Sequence, residues 1–427
     1  MRVLLLSHTT GYQLRAFNDA AERLGFELLF ATDRCHRLDD PWQDRAVAVR
    51  FHDIDASVAA IVKRARESPV DGVMAVGDQP VPLAARAAEA LGIRWHTPAG
   101  AAASIDKRRS RAALAAAGLP SPRFTTLHIE DAGNGPAAQA PPESGLDFPM
   151  VLKPLGLSGS RGVIRADNED AFAAASARIA ALLARPQIRA ARSGLEDAIL
   201  VEEYIPGREF AIEGALTDGT LTVFAVFDKP DPLEGPFFEE TIYVTPSRIP
   251  EARQQRMAAC VQDAAVALGL RHGPVHAECR VAADEEVYVL EVAARPIGGI
   301  CSRVLTFSDR GRGEHSLEAV LLQHAVGRPI HDYSREARAA AVMMIPIGQR
   351  GMFKGVSGDE EARRVPGVTD VTITAKPGQL LEPLPEAGSY LGFIFSRGVT
   401  PADAEASVRE AHRLLQFAIT RDLGVNR

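Results

Sequence analysis

Short apolar runs alternate with stretches of helical spacing through the first hundred residues, and that alternation breaks near Phe148. Arg2–Ser7 reads as a strand, Gln13–Leu24 as a helix stopped at Gly25, and Phe26–Ala31 as a second strand. A helix near Ala56–Glu67, a strand at Val70–Val76 and a helix through Ala84–Leu91, closed by Gly92, continue the series. Strands separated by helices predict a parallel sheet covered on both faces, which binds ligands beyond the carboxyl ends of its strands. The turns Ser7–Gly11 and Gly77–Pro80 would lie there. Asp106 can cap a helix running to Ala117, and the Pro/Gly/Ala-rich stretch Glu130–Gly145 reads as a surface loop.

From Phe148 onward strand follows strand: Phe148–Lys153, Val163–Ala166, Ala198–Tyr204, Glu209–Leu216, Leu221–Phe227, Val275–Val281 and Val287–Val292. Helices interrupt only at Glu169–Leu183 and Glu251–Leu268, so the pattern is α+β with antiparallel sheet dominant. Strand candidates at Ala341–Pro346, Val368–Thr374 and Leu391–Phe395 predict a further unit, ending in a helix from Thr400-Pro401 through Phe417.

A chain of 427 residues exceeds a single core, and two to four domains are expected. A net charge of −7 argues against an electrostatic nucleic-acid binder. No apolar run is long enough for a membrane helix, and the run at the start is too short for a signal peptide. Cys35, Cys260, Cys279 and Cys301 form no CxxC pair, so free thiols in a cytoplasmic protein are expected. Lysine accounts for only six of the 48 basic residues (Lys63, Lys107, Lys153, Lys229, Lys354, Lys376). Against that background a retained lysine hints that a compact ammonium matters at its position.

The common nucleotide motifs are missing: no lysine follows a glycine, and neither HExxH nor GxSxG occurs. What does occur is FPMVLKPLGLSGSRGV, residues 148–163. Lys153 ends a strand there, and the loop after it, with Gly156, Gly159 and Gly162, can bring backbone N–H groups and the Ser158 and Ser160 hydroxyls onto a polyphosphate. The same pattern also suits an ordinary glycine-rich hairpin. The tandem glutamates of ILVEEYIPGREF, residues 199–210, read by themselves as a solvated strand edge. In HAECRV…VYVLEVAARPIGG, Glu278 and Glu291 each sit in an apolar strand. If the two strands pair, the carboxylates can converge on one face, where they need a shared proton or a cation. His276 reads as a hydrogen-bonded strand histidine, and Cys279 and Cys301 as core thiols.

In this order the segments resemble the ATP-grasp superfamily of carboxylate–amine ligases, over roughly residues 1–330. Within it they most resemble the L-amino acid ligases that make dipeptides, since RGMFKGVSG…VPGVTDV…GSYLGFIFSRG is similar to their carboxy-terminal domain. The resemblance implies an α/β and α+β multidomain chain with an ATP-grasp fold. Its parts would be an N-terminal parallel α/β domain at 1–105, a subdomain with the phosphate flap at 106–205, a subdomain with the metal site at 206–335 and a C-terminal α+β domain at 336–427.

It also implies roles. Lys107 and Lys153 would grip the phosphates of ATP, Lys229 would face phosphate, and the loop with Ser158, Gly159 and Ser160 would close over them. Glu202, Glu203 and the following residues through Ile205 would read adenine mainly through backbone groups, and Glu209 would hold the ribose. Glu278 and Glu291 would bind Mg²⁺, with Mn²⁺ an alternative. Arg295 would stabilise charge on an acyl phosphate and on the tetrahedral intermediate, while Glu240, Tyr243, Gly298 and Arg303 would meet substrate. Ala293 stands where the family usually has an asparagine metal ligand, so either water or a bidentate Glu291 completes the metal shell or the member is inactive; the otherwise intact motif set favours the former. Tyr243 stands where histidine is frequent, which points to a different substrate choice. The implied activity is ATP-dependent joining of a small-molecule carboxylate to an amine, with no nucleic-acid or membrane partner and a homodimer left open. An ATP-grasp carboxylase or formyl-transferring enzyme and a non-catalytic nucleotide binder are the alternatives.

Overall fold

The computed structural model describes residues 1–8, 12–33, 46–129 and 145–421. Cys35 and most of the Ser7–Gly11 turn and the Glu130–Gly145 loop lie outside these residues. In the N-terminal part the apolar run Arg2–Ser7 lies between Glu27–Thr32 and Gly72–Val76, parallel to both, with Ala46–Ala48 outermost. Val3 to Leu6 are fully buried because helices cover both faces. The helix Val81–Leu91 ends at Gly92, whose φ of 69° is a left-handed cap open to glycine at little cost. Asp106, itself buried, accepts from the N–H groups of Arg108 (3.0 Å) and Arg109 (3.3 Å) and so starts the helix Lys107–Ala116. A preceding helix, Pro98–Ile105, was not expected from the sequence.

Four antiparallel strands form the next body, in the order Phe124–His128, Ala198–Glu203, Met150–Pro154, Ile164–Ala166. The helix Glu169–Leu183 covers them with Phe172, Ile179, Leu182 and Leu183, giving this body a core of its own.

The largest sheet has eight antiparallel strands. Their order is Val287–Ala293, Gly273–Val281, Arg208–Thr217, Thr220–Asp228, Ile242–Thr245, Ala339–Ile345, Gly392–Gly398, Val368–Ile373. It takes strands from both sides of residue 335, Ile242–Thr245 pairing with Ala339–Ile345. Along Gly273–Val281 the side chains alternate as a pleat requires. Val275, Ala277 and Cys279 enter the core with Met257, Val261, Ala264 and Leu268 of the helix Glu251–Leu268, which leaves His276, Glu278 and Arg280 on the other face.

One element needs correction. Thr400 does cap the last helix, reciprocally with Asp403, but that helix ends at Leu414. Phe417 lies instead in the strand Gln416–Arg421, paired with Gly351–Ser357, because a partner remote in sequence supplies the hydrogen bonds that a longer helix would have made.

Candidate active site

A cavity of about 400 Å³ opens where the N-terminal turn, the four-stranded body, the large sheet and the C-terminal unit meet. Lys107 and Lys153 enter it from separate segments. The first sits at the start of its helix and donates from Nζ to the Leu157 carbonyl at 2.6 Å, which anchors the root of the glycine loop. Lys153 reaches it from the end of Met150–Pro154 and pairs with Glu202, which Arg111 also engages at 2.9 Å. Burial would lift the Glu202 carboxyl, but Arg111 and Lys153 outweigh it and hold it ionised below its usual range. Lys153 shifts the other way: burial, reinforced by Arg111 and Lys107, pulls it below the ordinary lysine value. In the loop, Gly159, Ser160 and Gly162 all have positive φ, a curvature that turns successive backbone N–H groups inward. At Gly162 a Cβ would also come 2.5 Å from the Pro154 ring, so glycine is required there.

The polar face of the large sheet supplies the carboxylates. Glu278 and Glu291 face each other directly in the hairpin, beside a bulge at Glu278 and Cys279. Lys229 lies amid Glu209 (2.8 Å), Glu240 and Glu278 (3.2 Å). Burial alone would raise Glu278, but Lys229 and His276 pull it well below the normal carboxyl range. Burial and the nearby Glu278 charge raise Glu240, whose second oxygen accepts from the Tyr243 hydroxyl at 3.0 Å. Arg280 holds the other oxygen of Glu209 at 2.8 Å and the Ile205 carbonyl at 2.8 Å. His276 bonds through Nδ1 to Glu213 at 2.9 Å, a strand histidine as expected.

Arg295 follows the hairpin and forks onto Asp78 of the N-terminal turn, at 2.7 and 3.3 Å. Glu213, fully buried, accepts the Ile297 N–H at 3.1 Å, and Gln13 donates to the Ile297 carbonyl at 2.5 Å. The turn that presents Gly298 and Gly299 is thereby held at both ends. A Cβ on Gly298 would meet nothing within 4 Å, since that residue faces the cavity.

All the candidates named from the sequence line this cavity except two. Lys229 stands behind the wall, buried among the three carboxylates, instead of facing open space, because their combined charge offers it more than solvent would. Arg303 lies elsewhere: it is half-exposed, pairs with Asp370 at 2.9 Å and covers the Phe395 ring, so it is not placed to hold a substrate carboxylate in this cavity. Glu202 and Glu203 line the cavity, but their side chains serve Lys153, Arg111 and Arg123. Cys279 and Cys301 are buried and their thiols are pushed far up by that burial, so neither is poised as a nucleophile.

Several residues were missed. Asp78 lies in a turn singled out for ligand binding but was not named itself. Arg111 carried a readable sign, since it shares a helix face with Lys107 and Leu114 and a buried arginine there demands a carboxylate. Met344, Thr374, Ser389, Tyr390 and Phe393 come from the C-terminal unit, and nothing local marks them.

Residues 146–304 match the family model of the ATP-grasp domain, residues 18–93 that of the ATP-grasp N-terminal domain, and residues 343–420 that of the L-amino acid ligase C-terminal domain 2. The chain is 28% identical to an alanine–anticapsin ligase of Bacillus subtilis over 256 residues, 56% of this chain and 52% of that one. It is 33% identical to a D-alanine–D-alanine ligase of Aromatoleum aromaticum over 199 residues, 46% of this chain and 57% of that one. The match thus spans about half the length of these relatives. Among solved structures, an L-amino acid ligase from Bacillus licheniformis superposes with a TM-score of 0.79 and 28% identity, covering 99% of both chains.

Proposed function

We propose that the chain activates a substrate carboxylate with ATP and joins it to the amino group of an L-amino acid, a reading supported by its match to the ATP-grasp domain over residues 146–304 and to the C-terminal domain of L-amino acid ligases over residues 343–420. The products are an amide, ADP and phosphate. The observation that carries this reading is the convergence of Lys107, Lys153 and Arg295 with Glu278 and Glu291 on one cavity, from segments far apart in sequence.

The donor set fits the expected cation. Glu278 and Glu291 offer only oxygen, opposite each other and beside the lysines, and hard oxygen donors suit Mg²⁺; buried Ala293 adds no donor. When bound, the ion would draw negative charge from the ATP phosphates. The chain's own groups do the rest. Lys107 and Lys153 hold phosphate oxygens as point charges, and the backbone of the 156–162 loop covers them. Arg295, kept cationic by Asp78 in spite of its burial, holds the oxygen on which charge grows as the carboxyl is activated and then attacked. The flap, together with Phe238, Glu240 and Tyr243 that line the cavity from the segment 227–247, keeps water from the activated carboxyl until the amine arrives. No protein nucleophile is needed, so catalysis is positioning and electrostatics.

The test is a phosphate-release screen over pairs of amino acids, followed by mass spectrometry of ATP-dependent products. Amide formation that requires both partners supports the reading. ADP formation that depends on bicarbonate or formate, with no amino-acid dependence, refutes it.

A further inference from the structure

The four-stranded body has its own core and meets the C-terminal unit through polar contacts from the flap and the segment beside it. Gly162, at the end of the flap, donates its N–H to the Pro385 carbonyl at 2.8 Å, and Arg161 Nε donates to the Glu386 carbonyl at 2.9 Å. Arg178, on the helix behind the flap, forks onto the Glu386 carboxylate at 2.5 and 2.8 Å. Arg185 pairs with Glu382 at 2.7 Å. All these partners lie in one loop, anchored at Leu381 by strand pairing with Gly351 and at Leu391 by a bond to the Ile345 carbonyl of 2.9 Å. The tip of the same loop, Gly388, Ser389 and Tyr390, lines the cavity.

Surface ion pairs contribute little to stability, about 0–1 kcal/mol each. Bodies with separate cores move relative to each other by default. Bonds that bridge two such bodies exist only in one relative position, and they favour that position by whatever they contribute. We propose that Arg178 and Glu386 are positioning residues that tie closure of the flap over the nucleotide to completion of the cavity wall at Ser389 and Tyr390, against which the amine substrate lies. This rests on the reading of the cavity as a two-substrate ligase site. The flap cannot swing away without pulling on the loop, so the activated carboxyl and the amine's wall are assembled together.

The experiment compares the wild type, Arg178→Ala, Glu386→Ala and the charge swap Arg178→Glu with Glu386→Arg. In the wild type ADP and amide appear one for one. Each single variant releases ADP in excess of amide and raises KM for the amine about two- to fivefold while that for ATP moves little, and the swap restores both. One-for-one product and an unchanged amine KM in the single variants overturn the proposal. Amide hydrogen exchange gives an arm independent of turnover, using a non-hydrolysable ATP analogue with Mg²⁺. The analogue protects 156–162 and 382–390 together in the wild type, and protects 382–390 several-fold less in Arg178→Ala, where the Gly162–Pro385 and Arg161–Glu386 bonds remain. If the wild type makes no amide yet shows this pattern, the latch stands and the ligase reading falls. Equal protection of 382–390 in all variants overturns the latch.

Discussion

Arg295 and Asp78 lie 217 residues apart and meet side-on, Nε to Oδ1 at 2.7 Å and a second guanidinium nitrogen to Oδ2 at 3.3 Å. The pair joins the end of the hairpin that carries Glu278 and Glu291 to the turn after the N-terminal parallel sheet, so the orientation of the guanidinium is set from a segment remote in sequence. Arg295→Ala is expected to lower kcat by about 10²- to 10³-fold. Asp78→Asn keeps the shape but removes the charge, and at least about a tenfold loss in kcat is expected with little change in melting temperature. Steady-state kinetics and thermal melts check both, and wild-type kcat in Asp78→Asn would sink the positioning role.

Lys153→Ala should nearly abolish ADP release, since it removes the proposed phosphate contact and a cationic partner of Glu202. Near-normal turnover in that variant rules out the nucleotide assignment.

Removing divalent cation with EDTA is expected to stop ADP formation, and added Mg²⁺ to restore it. Glu278→Gln and Glu291→Gln should each raise the Mg²⁺ concentration needed for half-maximal rate by about tenfold or more. Metal titrations that coincide with the wild type would exclude these carboxylates as ligands.

Arg111 and Glu202 are almost wholly buried, so Arg111→Met leaves an acidic group with only Lys153 to balance it. A stability loss of about 3 kcal/mol is expected, since breaking a buried pair on one side is costly. Urea unfolding measures it, and a loss below about 1 kcal/mol contradicts the argument.

Away from the cavity, His96, His272 and His324 gather at a seam between the N-terminal part and the large sheet. The rings of His272 and His324 stack at 4.2 Å, while His96 bonds to the Pro274 carbonyl at 3.0 Å and accepts from Arg271 N at 3.2 Å. Burial lowers His96 to about 4 and His324 to about 3. Both lie below the unfolded value near 6.5, so acid protonates the unfolded chain first. Their contribution is fully present above about pH 6.5 and is lost as pH falls toward 4 and then 3, by up to about 1.4 kcal/mol per pH unit for each. Unfolding free energies from pH 7 to 4 should fall less steeply in His324→Gln than in the wild type. Identical slopes would show that His324 does not titrate as described.

Much of the architecture was legible because it is local. The 3.6-residue period of Glu169–Leu183 and Glu251–Leu268 placed both helices at their observed bounds, and apolar runs bracketed most core strands. The hairpin of Glu278 and Glu291 was readable as two apolar strands each holding one acid, since a carboxylate in such a setting needs a partner. Phe417 was misread because FAIT suits a helix end as well as a strand, and only pairing with Gly351–Ser357 chooses. Arg303 was misread for a similar reason: an arginine soon after a glycine pair can face the cavity or turn to Asp370, and the fold of the C-terminal unit settles which.

The sequence by itself determined which groups are available: two lysines beside short loops, a glycine turn that only small residues can adopt, and two acids in apolar strands. These follow from spacing and backbone sterics within a few residues. Tertiary structure alone decided which groups face one another. Asp78 holds Arg295, Arg111 shares Glu202 with Lys153, Lys229 turns into three carboxylates, and Tyr390 closes the wall. Each such pairing is a Coulombic or hydrogen-bonding choice among partners dozens to hundreds of residues away, and no local pattern encodes a distance across the fold.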